Sequence, residues 1–368
     1  MKIALIQDQL LTSAGSERVF LYMAQEFKEA DVFTLCYNPK TTCPEFKAFQ
    51  IKTHLLNAVI RNHRVFKMMF PIATIAMERW DFSDYDLIIT SSATTAKYIK
   101  RFNAPHLCYC YFPTRAIWNF AGYFNGGVGF KEKIFSYFLN YFKKRDIAAA
   151  SRVNQFIAIS ESTKLAILKN YGADSKVLFP PVDLERFTQL GVEKKPNFLI
   201  VSRLERWKLL DYAIEAFNEL GLPLTIIGNG PEKGRLQALA KSNITFVGSV
   251  DDEALALAYA QAQAVIFTPE LEYGLVPIEA IASGTPVIAL GRGGVLETMI
   301  GLHDPQGRQA TAVFYPDPNK DSLIKAVREF EKVRFDPTVL MAHAAAFGIP
   351  AFRRQLRVMV NDFIQSGA

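Results

Sequence analysis

Short apolar runs recur along the chain and alternate with segments of helical spacing. The clearest cover residues 3–6, 87–89, 156–159, 198–201, 224–227, 264–267 and 287–290. Runs of three or four apolar residues without polar alternation suit strands buried on both faces, and the amphipathic stretches between them suit crossover helices. The pattern therefore predicts an α/β class with doubly wound parallel sheets. Between the runs ending at Ile159 and beginning at Phe198 lie Pro180-Pro181-Val182-Asp183 and the polar stretch Gly191-Val192-Glu193-Lys194-Lys195-Pro196, the best linker candidate. The expected organisation is two Rossmann-like domains, 1–190 and 191–350, facing across a crevice, with a helix over 351–368 returning to the first. Ligands of such sheets bind outside the carboxyl ends of the strands.

Composition narrows the class. A chain of 368 residues, half of them hydrophobic and 21% charged, can bury two cores and is neither disordered, collagen-like nor coiled coil. No uninterrupted apolar stretch reaches the roughly 20 residues of a bilayer span. The apolar run after Lys2 is too short for a signal peptide, so a cytoplasmic location is expected, with room for peripheral association on the inner face of the cytoplasmic membrane. Cys36, Cys43, Cys108 and Cys110 match neither zinc-ligand nor disulfide spacing and read as reduced core thiols. Charge is uneven: residues 1–190 carry 24 Lys and Arg against 16 Asp and Glu, residues 191–368 carry 18 against 20. A basic first half invites an anionic partner, be it nucleic acid, anionic lipid or a phosphorylated substrate.

Candidate chemistry gathers in loops that follow strands. After the run 198–201, Arg203 and Lys208 stand five residues apart, a guanidinium fork and a mobile ammonium able to hold a diphosphate without a metal, although an exposed basic loop can also be merely solvated. Gly228-Asn229-Gly230-Pro231 ends the run 224–227 and allows close backbone approach to a flat ligand, or simply a tight turn. Val247-Gly248 ends another strand. Three such loops in one domain imply a nucleotide-sized ligand. The longest signal is an acidic glycine loop, Pro269-Glu270-Leu271-Glu272-Tyr273-Gly274, running into Leu275-Val276-Pro277-Ile278-Glu279 and then Ala282-Ser283-Gly284-Thr285-Pro286-Val287.

Here the chain resembles the family-4 retaining glycosyltransferases of GT-B fold. Their pattern places an acidic residue eight positions before a glutamate, around a Phe/Tyr-Gly pair and ahead of an Ala-Ser/Ala-Gly-x-Pro-Val run. Further matches are Ala14-Gly15-Ser16-Glu17-Arg18-Val19, Cys108-Tyr109-Cys110-Tyr111-Phe112-Pro113-Thr114-Arg115, Phe179-Pro180-Pro181-Val182-Asp183 and Gly291-Arg292-Gly293-Gly294-Val295-Leu296-Glu297-Thr298. The last is similar to bacterial O-antigen and exopolysaccharide mannosyltransferase-like members. The resemblance implies Arg203, Lys208 and Glu279 as the catalytic set, the two cations on the leaving diphosphate and the carboxylate on the ribose hydroxyls. It implies donor binding by Gly15, Gly228, Asn229, Gly230, Val247, Gly248, Glu272, Tyr273, Gly274 and Leu275. Implied partners are a nucleotide sugar, GDP-linked by preference, and a glycan acceptor carried on a polyprenyl diphosphate, in lipopolysaccharide or exopolysaccharide synthesis.

Two positions depart from the family. Leu271 stands where the first acidic residue belongs and Tyr111 where a histidine belongs, two positions that in the family face the transferred sugar, and Glu270 or Glu272 can swing into the vacant carboxylate role through a one-residue shift of the loop. The alternative is a donor sugar that lacks hydroxyls there. No Asp-x-Asp pair occurs among these loops, so neither a metal nor any other cofactor is expected, and transfer with retention leaves no need for Asp8 as a base. A nucleotide-sugar 2-epimerase of the same fold would need clustered acid–base residues, and the five histidines are scattered. A basic nucleic-acid-binding protein would need a recognition module that is absent here, so no nucleic-acid partner is expected. Residues 61–70 and 130–145 mix cations with large apolar side chains and suit an anionic membrane surface.

Overall fold

The computed structural model describes residues 1–100, 102–118, 138–188 and 191–366. It divides into two compact units, residues 1–180 with 352–368, and residues 181–351. Strands of the first unit are β1 (Ile3–Gln7), β2 (Asp31–Thr34), β3 (Ile51–Thr53), β4 (Leu87–Ser92), β5 (His106–Cys110), β6 (Gln155–Ala158) and β7 (Ser175–Val177), in the order β3-β2-β1-β4-β5-β6-β7. The second unit holds β8 (Phe198–Val201), β9 (Leu224–Ile227), β10 (Ile244–Gly248), β11 (Val265–Phe267), β12 (Val287–Leu290) and β13 (Ala312–Tyr315), in the order β10-β9-β8-β11-β12-β13. Every strand pair is parallel. Both units are doubly wound α/β sheets, as the run pattern predicts.

Central strands β1, β4, β5 and β12 are buried at every position, whereas edge strand β3 is largely exposed. Helices cover both faces, and local chemistry sets their ends. Ser160 accepts from the Thr163 N–H at 3.1 Å to open Glu161–Tyr171, and Gly172 closes it in the left-handed conformation.

The division between units falls at Pro180 and Pro181, ahead of the polar stretch 191–196, because residues 181–188 pack on the second unit. Val182 pairs with Gly348, and the Phe187 carbonyl accepts from Ser283 Oγ at 2.9 Å. The terminal helix Ile349–Gln365 runs into the first unit. There Arg357 Nε meets Glu26 at 2.5 Å, and Phe352 packs edge-on against Tyr109.

The four cysteines are buried and free, and burial pushes the Cys36 and Cys108 thiols up to about 12, so they behave as apolar filler. Among the described residues no helix is long and apolar enough to cross a membrane.

Candidate functional site

In the second unit the strand order reverses at β8: β9 and β10 lie to one side, β11 to β13 to the other. Chains leaving β8 and β11 therefore diverge towards opposite faces of the sheet and open a cleft between their carboxyl ends. A cavity of about 230 Å³ lies there, walled by Val201 at the end of β8 and Ser202 after it, by Thr268 and Pro269 after β11, and by Leu271, Tyr273 and Lys208. Leu275 and Val276, the first residues of helix Leu275–Ala282, complete it and bring the helix's positive end to the cavity wall.

Lys208 is held by its backbone. It ends the short turn Arg206–Lys208, its N–H donates to the Glu205 carbonyl at 2.9 Å, and its own carbonyl accepts from Thr268 Oγ1 at 2.6 Å. The ammonium sits 4.1 Å above the Trp207 ring, a cation–π contact. Leu209 follows with φ +56°, the one non-glycine with positive φ among the described residues. That conformation costs roughly 1–2 kcal/mol and persists because the turn before it and the helix Leu210–Leu220 after it over-determine it. Strain placed beside a cation that lines a cavity marks a positioned group. Arg203 shares the Trp207 platform at 5.9 Å, but its side chain is 70% exposed, pairs with Glu205 at 3.1 Å and does not line the cavity.

Gly228 and Gly230 have a structural explanation. A Cβ on Gly228 would stand 1.9 Å from the Ser202 carbonyl oxygen and one on Gly230 2.2 Å from that of Leu204. The two loops zip together through Ser202 N–H to Ile227 O and Leu204 N–H to Asn229 O. These glycines therefore shape the Arg203 loop through backbone packing. Next to them Gly248, at φ +86°, accepts from the Gly228 N–H at 2.8 Å, and Asn229 Nδ2 donates to Ser249 Oγ at 2.9 Å. A bulge between Phe246 and Gly248 turns Val247 outward, 51% exposed, making an apolar step on this polar shelf.

Glu279 lies in the second turn of Leu275–Ala282, which carries no acid in its first turn, so a simple macrodipole role does not account for it. Buried Tyr259 donates to its Oε2 at 2.7 Å. Burial first, then the Glu279 charge, push the Tyr259 hydroxyl well above its usual range, so it stays a donor and fixes the carboxylate's orientation.

The loop 269–274 is clamped. The Leu271 carbonyl accepts from the Gly294 N–H at 2.7 Å, Leu271 bridges Gly293, and a Cβ on Gly293 or Gly294 would meet the carbonyl oxygen of Leu271 or Glu272 at 2.4 and 2.2 Å. Gly274 is required as well, since a Cβ there would stand 2.9 Å from the Phe267 ring. The result puts Leu271 and Tyr273 on the cavity wall, leaves Glu270 exposed, and gives neither Glu270 nor Glu272 a place in the lining.

In the first unit Gly15 opens helix Gly15–Glu26 and is exposed. Tyr111 is committed locally: its hydroxyl donates to the Ser16 carbonyl at 3.0 Å and lies 3.0 Å from Ser91 Oγ. Asp8, which sequence reasoning left without a role, is buried and accepts four backbone N–H groups, from Ala93, Thr94, Thr95 and Ala96, at 2.6–2.8 Å. Sequence reasoning also missed Thr268 and Tyr259, whose partners lie 60 and 20 residues away with no spacing to betray them. Among the described residues no group of His, Cys, Asp and Glu could hold a metal ion.

A cation and a helix N-terminus on one cavity at a topological switch point define a class, the nucleotide-binding doubly wound proteins. Residues 13–186 match the family model described as Glycosyltransferase Family 4 and residues 182–345 that of Glycosyl transferases group 1. Between them the two models account for nearly the whole chain, which belongs to the family-4 glycosyltransferases of GT-B fold. The chain is similar to the alpha-1,3/1,6-mannosyltransferase of Candida glabrata, 22% identical over 90% of this chain and 85% of that protein. It is also similar to that of Kluyveromyces lactis, 24% identical over 68% of this chain and spanning 60% of that protein's length. Among solved structures, sucrose-phosphate synthase from Thermosynechococcus elongatus shares the fold at TM-score 0.72 and 18% identity over all of both chains. Anabaena HepE in complex with UDP does so at 0.69 and 16% identity, over 98% of this chain and 100% of that one.

Proposed function

We propose that the chain transfers a mannose-like or deoxy hexose from a nucleotide sugar to a growing cell-envelope glycan, with retention at the anomeric carbon and without a metal. The observation that carries this reading is the joint placement of Lys208 and the N-terminus of helix Leu275–Ala282 on the cavity at the β8/β11 reversal. As the bond from the anomeric carbon to the phosphate oxygen breaks, negative charge grows on the diphosphate. A fixed ammonium and helix amides stabilise that charge more in the transition state than before it. The acceptor oxygen bonds to the anomeric carbon on the face the leaving group vacates, and its proton passes to the departing phosphate oxygen. This scheme needs no carboxylate base, and Asp8, already saturated by four amides, fits no such role.

Glu279, oriented by Tyr259, is assigned to the ribose hydroxyls, and the shelf of Asn229, Val247 and Gly248 to the nucleobase. Arg203 reaches the diphosphate only by leaving Glu205, an exposed pair of small net worth that a phosphate can outcompete. Gly15, Glu272 and Tyr273 remain donor-side assignments, and the first unit is assigned to the acceptor, a polyprenyl-diphosphate-linked glycan. The mannosyltransferase relatives support a mannose-like sugar, and GDP is the favoured carrier. UDP is the competing carrier, since HepE is described in complex with it. A thermal-shift panel of GDP, UDP and TDP discriminates, because a ligand that binds the folded state alone raises its melting temperature. No shift with any of them would remove the reading.

A further inference from the structure

The loop between β8 and the helix Leu210–Leu220 sets Arg203, Glu205 and Lys208 around the Trp207 indole. Glu205 divides its carboxylate between two partners: Oε1 pairs with Arg203 at 3.1 Å, and Oε2 accepts from Trp207 Nε1. The Trp207 ring in turn carries the Lys208 ammonium at 4.1 Å and lies 5.9 Å from the Arg203 guanidinium. The backbone fixes where the carboxylate starts: the Glu205 N–H donates to the Arg203 carbonyl at 2.9 Å, and the Glu205 carbonyl accepts from the Lys208 N–H at 2.9 Å. The mixed stretch 130–145 includes residues 130–137, which lie outside the described residues, whereas this loop is described throughout.

The members of this array differ in freedom. The Arg203 side chain is 70% exposed and the Glu205 side chain 28%, so when their pair opens it is the arginine that moves. Neither lines the cavity, whereas Lys208 does. Towards a guanidinium a carboxylate offers the same two-oxygen anionic edge as a phosphate, and an exposed pair of this kind is weak enough to exchange. If Arg203 leaves, Glu205 still accepts from the indole, so the platform under Lys208 persists through the exchange.

We infer that Glu205 is the donor site's own counter-anion: it stands in for the diphosphate on Arg203 while the site is empty, and retakes Arg203 as the nucleoside diphosphate departs. The inference rests on the transfer reading and adds to it how the product leaves. A diphosphate gains a negative charge when its bond to the sugar breaks, so cations that stabilise the transition state also hold the product more strongly than the donor. A carboxylate that competes for one of the two cations opposes that excess hold. Glu205 acts through Arg203 and Trp207 and is therefore a positioning residue.

The test is calorimetric titration of the full chain, and of its Glu205→Gln variant, with GDP, UDP and inorganic pyrophosphate. Glutamine keeps an oxygen that accepts from the indole and removes only the charge. Glu205→Gln should bind nucleoside diphosphate about fivefold tighter at an unchanged melting temperature, and in turnover assays that product should inhibit it at about fivefold lower concentration. Adding Arg203→Ala should abolish the gain, because the gain comes from releasing Arg203. A carboxylate that merely braces the loop predicts the opposite sign, and weaker binding by Glu205→Gln overturns the inference. So does equal affinity, or a gain that persists undiminished alongside Arg203→Ala, since that would be general repulsion of anions. If neither protein binds nucleotide or pyrophosphate, the inference and the transfer reading fall together. A pyrophosphate gain that depends on Arg203, with no nucleotide bound by either protein, upholds Glu205 as the stand-in anion and removes the transfer reading alone.

Discussion

The two sheets reach the same topological feature and use it in opposite ways. In each, strand order reverses near the middle, at β1/β4 in the first unit and at β8/β11 in the second. At β1/β4 the loop after β4 turns four successive N–H groups inward, and the Asp8 carboxylate, one residue past β1, fills that nest from within the chain. At β8/β11 a cavity stays open among the described residues: a lysine lines it, and the neighbouring helix brings its positive end. A doubly wound sheet creates an anion site at its reversal. Whether that site becomes a structural clasp or a binding cavity depends on whether the first loop supplies the anion itself.

The hardest blow to this contrast is Asp8→Ala. Four charge-assisted hydrogen bonds within 2.8 Å disappear and leave four amides unsatisfied in a buried place. We expect a loss of about 3–5 kcal/mol and a melting temperature lower by about 10 °C, read by calorimetry. A variant that melts with the wild type would mean the clasp carries no weight.

At the other reversal the expectation inverts, with function lost and fold kept. Lys208→Ala should lower kcat/KM for transfer by about 2–4 kcal/mol, and Glu279→Ala and Arg203→Ala by at least about tenfold, Arg203 least because it is exposed and paired. Melting temperatures should stay within about 1–2 °C for Lys208→Ala and Arg203→Ala, whereas Glu279→Ala also strips the buried Tyr259 hydroxyl of its acceptor and should cost about 1–3 kcal/mol of stability. Undiminished transfer in all three would end the assignment of this cavity to the donor.

The sequence made the second reversal far more legible than the first. Strands β1, β4, β6, β8, β9, β11 and β12 coincide with apolar runs because parallel strands buried on both faces need such runs. Edge strands β3 and β7, Ile-Lys-Thr and Ser-Lys-Val, bury little and left no comparable signal. Arg203, Lys208 and Gly228 stand out because cations and glycines after a strand are unusual in themselves. An aspartate bonded to amides 85–88 residues away looks like any other aspartate. Glycine carries two meanings at once: Gly228 and Gly230 read as a ligand contact or a tight turn, and carbonyls of the adjacent loop require glycine at both.

Acid should separate the units further. His106, buried in β5 with Nε2 at 2.8 Å from Thr90 Oγ1, is pushed down to about 3 by desolvation, against about 6.5 when unfolded. Below pH 6.5 the unfolded chain binds the extra proton. The histidine's contribution is therefore whole above that pH and is lost as pH falls towards 3. Between pH 6.5 and 5 the loss is about 2 kcal/mol, from 1.36 kcal/mol per pH unit. His106→Gln should flatten the stability–pH slope of the first unit, followed by hydrogen exchange of its strands. Parallel slopes for variant and wild type would exclude this histidine as the acid-sensitive element.

The smallest effect concerns which sugar the open cavity accepts. A one-residue shift of the loop 269–274, which would bring Glu270 or Glu272 to the position of Leu271, must break the Leu271 carbonyl's 2.7 Å bond from Gly294 and the bridge to Gly293. Both glycines abut the loop's carbonyl oxygens too closely for any slack. The clamp therefore favours a leucine that stays on the wall, and with it a donor sugar that presents carbon there instead of a hydroxyl. A hydroxyl buried against Leu271 would lose its partner at about 1–3 kcal/mol. A nucleotide-linked deoxyhexose should accordingly turn over about tenfold faster than its parent hexose, and Leu271→Glu should narrow or reverse that ratio by restoring an acceptor. Gly293→Ala, which forces the clamp apart, should slow both sugars alike and so separate positioning of the loop from recognition by its side chain. Faster turnover of the parent hexose by the wild type would return the choice to a fully hydroxylated, mannose-like donor while leaving the contrast between the two reversals intact.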